Sequence, residues 1–190
     1  MVSKTHNAIA FASLVTISAF YPPNYLNLPT LLGAIIANNI GGLIPDMDSG
    51  ANYLWGLLPQ GKFLGSFLRK IFYKHRTVTH SFLGLFVIYN LLQAFIPKLF
   101  NSNFINPDII VISVMIGVIS HLAADSLTEE GIPLLFPLKI NFGFPPFKPM
   151  RIKTGYWFEK FILFPSIWIY LIWFVYSHQN SFLNLIKNIH

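Results

Sequence analysis

Apolar residues in this chain gather in five runs, at roughly 8–21, 28–44, 82–97, 109–127 and 161–177, and the segments between them hold most of the charge. A helix that crosses a bilayer needs about 20 apolar residues, with about 17 as the lower limit. The runs at 109–127 and 161–177 meet that length, while the others are short enough to be tilted or half-buried helices. The pattern therefore predicts an all-α membrane bundle of four to five spanning or partly spanning helices, a single domain over residues 1–190. A signal peptide is the competing reading of the first run. No small-x-small cleavage site precedes Tyr21-Pro22-Pro23, so the run is expected as a retained helix.

Composition agrees with this reading. Hydrophobic residues make up 54% of the chain and charged residues 11%, against about 25% charged in ordinary soluble domains. That is too little charge to cover a water-facing surface. Cysteine is absent, which excludes disulfides and thiolate metal sites and leaves His, Asp, Glu or backbone oxygen as metal ligands.

The net charge of +6 does not indicate nucleic acid, because the basic residues lie in loops between apolar runs and form no surface stripe. With five spans, eleven of the 13 Lys and Arg fall on one side, and only Lys98 and Lys187 fall on the other. By the positive-inside rule the crowded side is cytoplasmic, with the N-terminus in and the C-terminus out. The two long loops of that side, 45–81 and 128–160, carry most of the polar chemistry, and the second is rich in Pro, Gly and Phe. Such a segment is suited to lying on the membrane surface or roofing a site.

Four short segments collect the reactive side chains: Thr5-His6-Asn7, Pro45-Asp46-Met47-Asp48, His75-Arg76-Thr77-Val78-Thr79-His80-Ser81, and His121 to Asp125-Ser126 with Thr128 close behind. In the five-span topology all four fall on the same side, although that topology came from Lys and Arg alone. His121 and Asp125 are four apart, so on a helix they share one face. A carboxylate inside an apolar run is a functional-site hypothesis by default. Imidazoles with carboxylates suit zinc, manganese or iron. Seven candidate ligands (His6, Asp46, Asp48, His75, His80, His121, Asp125) exceed the three that one catalytic zinc takes from protein, which points to a two-metal site, or to some of the seven as outer partners that hold imidazole tautomers.

Each segment taken singly has an ordinary reading. Asp46 and Asp48 suit a helix-ending turn, His121 and Asp125 a structural pair, Thr79 a cap of the third helix, and Ser126 a bond to its own helix. Four such accidents on one face are a less economical explanation than one site. His178 and His190 are expected as interface or solvent residues, Glu129, Glu130 and Glu159 as loop charges, and Trp157, Trp168, Tyr170, Trp173 and Tyr176 as lipid-facing or belt aromatics.

The combination of His6, Pro45-Asp46-x-Asp48, His75-Arg76-x-x-Thr79-His80-Ser81 and His121-x-x-x-Asp125-Ser126-x-Thr128 resembles the YdjM family of bacterial inner-membrane proteins, over about residues 3 to 155. That family is described as metal-dependent hydrolases and is distantly similar to zinc-dependent phospholipase C and the single-strand zinc nucleases, whose HxxxD pair His121 and Asp125 match. The resemblance implies His6, Asp46, His75 or His80, His121 and Asp125 as ligands. The soluble enzymes carry a second HxxxD pair, whereas here no His follows His121 until His178, so one or two ions are expected and not three.

The function expected from all of this is a phosphoesterase acting on a lipid or lipid-linked phosphate at the cytoplasmic face. Zinc, or alternatively manganese, would be held by His6, Asp46, Asp48, His80, His121 and Asp125, with His75, Arg76 and Thr79 in catalytic contact with phosphate. A metal or proton transporter, or a scaffold with a structural metal, is the alternative.

Overall fold

Prolines and capping side chains mark where several helices begin. The computed structural model describes residues 1–48, 56, 78–138, 140–187 and 189. Its α-helices are α1 (Ser3–Phe20), α2 (Leu28–Gly41), α3 (Phe82–Leu99), α4 (Pro107–Ser126), α5 (Phe164–Ser177) and α6 (Gln179–Lys187). The Asn27 side chain accepts the Thr30 N–H at the start of α2, and that of Asn106 accepts the N–H groups of Asp108 and Ile109 at the start of α4. In both helices a proline occupies the first turn, where no intrahelical donor is required. Ser81, not Thr79, caps α3, accepting the Gly84 N–H at 3.1 Å. Among the described residues there is no strand, only three isolated bridges.

Each of the five apolar runs is a helix, as expected. Among the described residues, three helices are long and apolar enough to cross a membrane: Phe82–Leu99, Pro107–Ser126 and Glu159–Ser177, the last formed by a π turn at Glu159–Leu163 running into α5. Helix α1 matches them in length but is less apolar, and α2 is shorter, at 14 residues. The amphipathic α6 was not expected, since its run is short and interrupted by Asn184.

Helix α4 is the centre of the bundle. About 61% of its apolar window is buried, against 6% for α3 and 17% for the last span. It lies against α1, α2 and α3, and its Ile110, Val114, Val118 and Leu122 form the core with Ala37 of α2 and Ile132 of the following segment. The approach of α2 to α4 is close enough to require small residues. A methyl group on Gly41 would collide with the Val114 carbonyl, and one on Gly117 with the carbonyl of Asn38. Backbone contact of this kind is how helices associate in lipid, where burial of apolar surface gives little drive. Outward, Phe86, Phe95 and Leu99 of α3 and Ile169, Ile172, Trp173 and Tyr176 of α5 are exposed. A surface of that kind fits hydrocarbon and not water.

The segment after α4 folds back on the end of the helices. Thr128 is fully buried and donates its hydroxyl to the Asp125 carbonyl at 2.7 Å. Ile132 pairs with Phe142, and the Leu134 carbonyl accepts the Phe82 N–H that opens α3. Arg151 gathers the loop by donating to the carbonyls of Pro145, Gly143 and Pro146 at 2.7, 2.9 and 3.2 Å.

Candidate metal centre

Helix ends bring the reactive residues together. His6 lies in the first turn of α1, and Asp46 in the 3₁₀ turn Pro45–Asp48 that follows α2. His80 closes the 3₁₀ turn Val78–His80 just before α3, and His121 and Asp125 occupy the last turns of α4. Because α1 to α4 alternate in direction, these ends meet.

Asp46, His80, His121 and Asp125 each present one ligand atom, and the four atoms lie within 4.8 Å of one another. His80 Nε2 is 3.6 Å from both Asp46 Oδ1 and Asp125 Oδ2. His121 Nε2 is 3.5 Å from Asp46 Oδ1 and 3.7 Å from Asp125 Oδ2. These separations are long for direct hydrogen bonds. They are close to the edge of about 3.3 Å between ligands of a tetrahedral ion bound at about 2.0 Å. Spacing and donor chemistry therefore fit a divalent cation shared by the four groups.

The surrounding polar groups aim the imidazoles. A backbone carbonyl can only accept, so the 2.7 Å contact of His121 Nδ1 with the Gly42 oxygen puts a proton on Nδ1. The lone pair of the neutral ring is then on Nε2, which faces the carboxylates. His80 Nδ1 lies 3.0 Å from the Thr79 hydroxyl, which leaves His80 Nε2 on the same centre. Partners of this kind fix ring orientation around metals.

Asp125 is fully buried and its two oxygens face different ways. Oδ2 looks towards His80 and His121. Oδ1 lies 2.7 Å from the Met1 amino nitrogen and 3.2 Å from His6 Nε2. The His6 ring stacks on that of His121 with centroids 3.7 Å apart and planes 10° apart. Neither ring nitrogen of His6, nor Nε2 of His121, has a well-formed hydrogen bond among the described residues. Buried polar atoms are nearly always bonded, so these nitrogens are a second sign that the centre is built for a ligand.

Electrostatics set the two groups at its edge. Burial alone would push the Asp46 carboxyl up, but contacts with His121 and His80 hold it well below the usual carboxylate range. Burial likewise opposes charge on His80, and the carboxylates of Asp125 and Asp46 outweigh it and raise its pKa. Asp46 is also the open side of the centre: its side chain is 20% exposed, while those of His80, His121 and Asp125 are closed to solvent.

Of the residues singled out from sequence, Asp46, His80, His121 and Asp125 come together and His6 stands against them. Asp48 ends the 3₁₀ turn, and its side chain lies outside what the structure describes. Thr79 contacts His80. His75, Arg76 and Thr77 lie outside the described residues. Ser126 bonds its own helix at the Ala123 carbonyl, the ordinary reading given above.

Two features were missed. The Gly42 carbonyl is backbone and carries no sequence signal. Glu159, expected as a loop charge, is instead fully buried. An acid opening an apolar run was the available clue, the same one that singled out Asp125.

Comparison with known proteins agrees with the motifs. Residues 1–182 match the YdjM inner membrane protein family. The protein YvsG of Bacillus subtilis strain 168 is 32% identical over 163 residues, which is 86% of this chain and 88% of that one. The inner membrane protein YdjM of Escherichia coli K12 is 32% identical over 135 residues, 71% of this chain, and the inner membrane protein YdjM of Shigella flexneri matches to the same extent. The match spans 63% of the length of those two relatives. No solved structure matches. With a family match over residues 1–182, apolar helices of spanning length and Asp46, His80, His121 and Asp125 gathered at one end, the chain belongs to the YdjM family of inner membrane proteins.

Proposed function

We propose that the chain is a membrane-embedded, metal-dependent hydrolase of phosphate esters, working on a lipid or lipid-linked phosphate at the cytoplasmic face. The observation that carries this reading is the set of four ligand atoms, from Asp46, His80, His121 and Asp125, within 4.8 Å at one end of the bundle. Two imidazoles and two carboxylates without thiolate suit zinc, with manganese as the alternative. A second ion would fall to His6 and the Oδ1 side of Asp125.

A divalent cation supplies Lewis acidity: it lowers the pKa of water and polarises a phosphoryl oxygen. The rest belongs to the chain. The buried Asp125 and His121 exclude solvent from behind, so substrate and water approach past the partly exposed Asp46. The Thr79 hydroxyl steadies His80. Arg76 and His75, four and five residues before His80 in sequence, are assigned to phosphate oxygens, for which the planar guanidinium is suited.

Two observations favour this reading over the alternatives. A structural ion is coordinatively closed, and here one ligand is reachable from solvent. Alternating-access transport places its site near the bilayer midplane, and here the groups sit at helix ends.

The test is a panel of phosphomonoesters and phosphodiesters, soluble and lipid, with zinc-loaded protein in detergent. The expected outcome is chelator-sensitive hydrolysis that disappears in Asp125→Asn. Binding of zinc with no hydrolysis across the panel would overturn the hydrolase and leave the metal centre standing. For orientation, a reporter fused after residue 187 is expected on the extracytoplasmic side, and a cytoplasmic signal would contradict the placement of the site.

A further inference from the structure

Glu159 takes no part in the centre described above, yet it is fully buried. A buried carboxylate is costly unless strong hydrogen bonds replace water. Two backbone amides do so here. Glu159 Oε1 accepts the Val2 N–H at 2.7 Å, and Oε2 accepts the Gly155 N–H at 2.6 Å. Gly155 has a φ of 77°, a conformation that favours glycine, and a side chain there would strain the turn that offers this amide.

The Val2 contact leads to the centre in three steps. Val2 is the residue that caps α1, and its carbonyl accepts the N–H groups of Thr5 at 2.9 Å and His6 at 3.2 Å. Glu159 thus grips the peptide that starts the helix, from the π turn that leads into α5. In that first turn of α1, His6 stacks on His121 and lies 3.2 Å from Asp125 Oδ1. A shift of the helix start would move the His6 ring with it.

We propose that Glu159 is a positioning residue of the metal centre: it anchors the start of α1 and so holds His6 against His121 and Asp125. This inference rests on the metal-centre reading. Its rival is a plain tie between α1 and the last span that holds the fold and has no influence on the centre.

A double-mutant cycle separates the two. The zinc dissociation constant is measured by chelator competition for the full chain in detergent, for wild type, Glu159→Gln, His6→Ala and the double variant. Amide exchange is followed over residues 1–10, with residues 28–41 as a folding control. Removal of an outer partner weakens metal binding about 10–100-fold. Glu159→Gln is therefore expected to weaken zinc at least about tenfold, and His6→Ala to do the same. The double variant should be no weaker than the worse single one, because residues acting through one another are not additive. Exchange should rise over residues 1–10 and stay unchanged over 28–41.

Additive losses, or an unchanged dissociation constant in Glu159→Gln, would overturn the proposal alone. Failure of wild type to bind zinc would overturn the metal-centre reading and this proposal with it. Glu159→Gln leaves one oxygen to accept a single amide, so Val2→Pro is measured beside it: it deletes the Val2 hydrogen bond from the donor side at a φ of −74°, which proline accepts. An undiminished zinc affinity in that variant would equally refute the role.

Discussion

His121 gives its Nδ1 proton to the Gly42 carbonyl at 2.7 Å. This single contact between the end of α4 and the residue just after α2 decides what the other ring nitrogen can do. With the proton committed to a carbonyl, Nε2 carries the lone pair and faces Asp46 and Asp125 at 3.5 and 3.7 Å. The Thr79 hydroxyl sits at the corresponding atom of His80.

These two supports make different predictions. The Gly42 carbonyl is backbone and survives side-chain substitution, whereas Thr79→Ala removes the hydroxyl beside His80. Zinc affinity is expected to fall about tenfold in Thr79→Ala and to be largely restored in Thr79→Ser, as measured by chelator competition. Equal affinities in all three proteins would remove Thr79 from the centre.

The division between what sequence shows and what it hides follows the same line. His121 and Asp125 were legible because a four-residue spacing on a helix puts two side chains on one face, and because a carboxylate in an apolar run needs a reason. The meeting of the four segments was legible from loop charge, since alternating helices bring alternate ends together. Side-chain identity alone did not show that Asp46 reaches the other three ligands, because that depends on the 3₁₀ turn that follows α2. Nor could it choose between Thr79 and Ser81 as the cap of α3, since both are hydroxyl residues at a plausible helix start. Glu159 was misread because its partners are backbone amides, which carry no side-chain signal, and one of them belongs to Val2 at the far end of the chain.

The titration of His80 predicts an unusual pH dependence for the metal-free protein. Its pKa is raised above the ordinary 6.5 in the fold, so its charged form contributes stability that is fully present below about 6.5 and lost as pH rises through the raised value. Asp46, whose pKa is depressed, contributes above its ordinary 3.8 and loses that only as pH falls through its lowered value. As pH rises above about 6.5 the metal-free protein is therefore expected to lose thermal stability. The slope should vanish in His80→Asn. A metal-free Tm that rises with pH above about 6.5 would contradict the pairing of His80 with the two carboxylates.

The contact of α2 with α4 sets a limit on side-chain size that stability measurements can read. Gly117→Ala places a methyl against the Asn38 carbonyl and is expected to cost about 1–3 kcal/mol, as overpacking does. Ile119→Ala, at a position 52% exposed on the same helix, is expected to stay within about 0.5 kcal/mol. Thermal unfolding in one detergent compares the two. Equal Tm values would mean that α2 and α4 do not pack backbone to backbone.

The most direct measurement is the metal content of detergent-purified protein after zinc or manganese loading and removal of free ion, with wild type beside His121→Ala and Asp125→Ala. The account predicts one or two equivalents in wild type and loss of at least one equivalent in each variant, with the helical fold retained. Wild type without stoichiometric metal, or variants that hold as much as wild type, would contradict it.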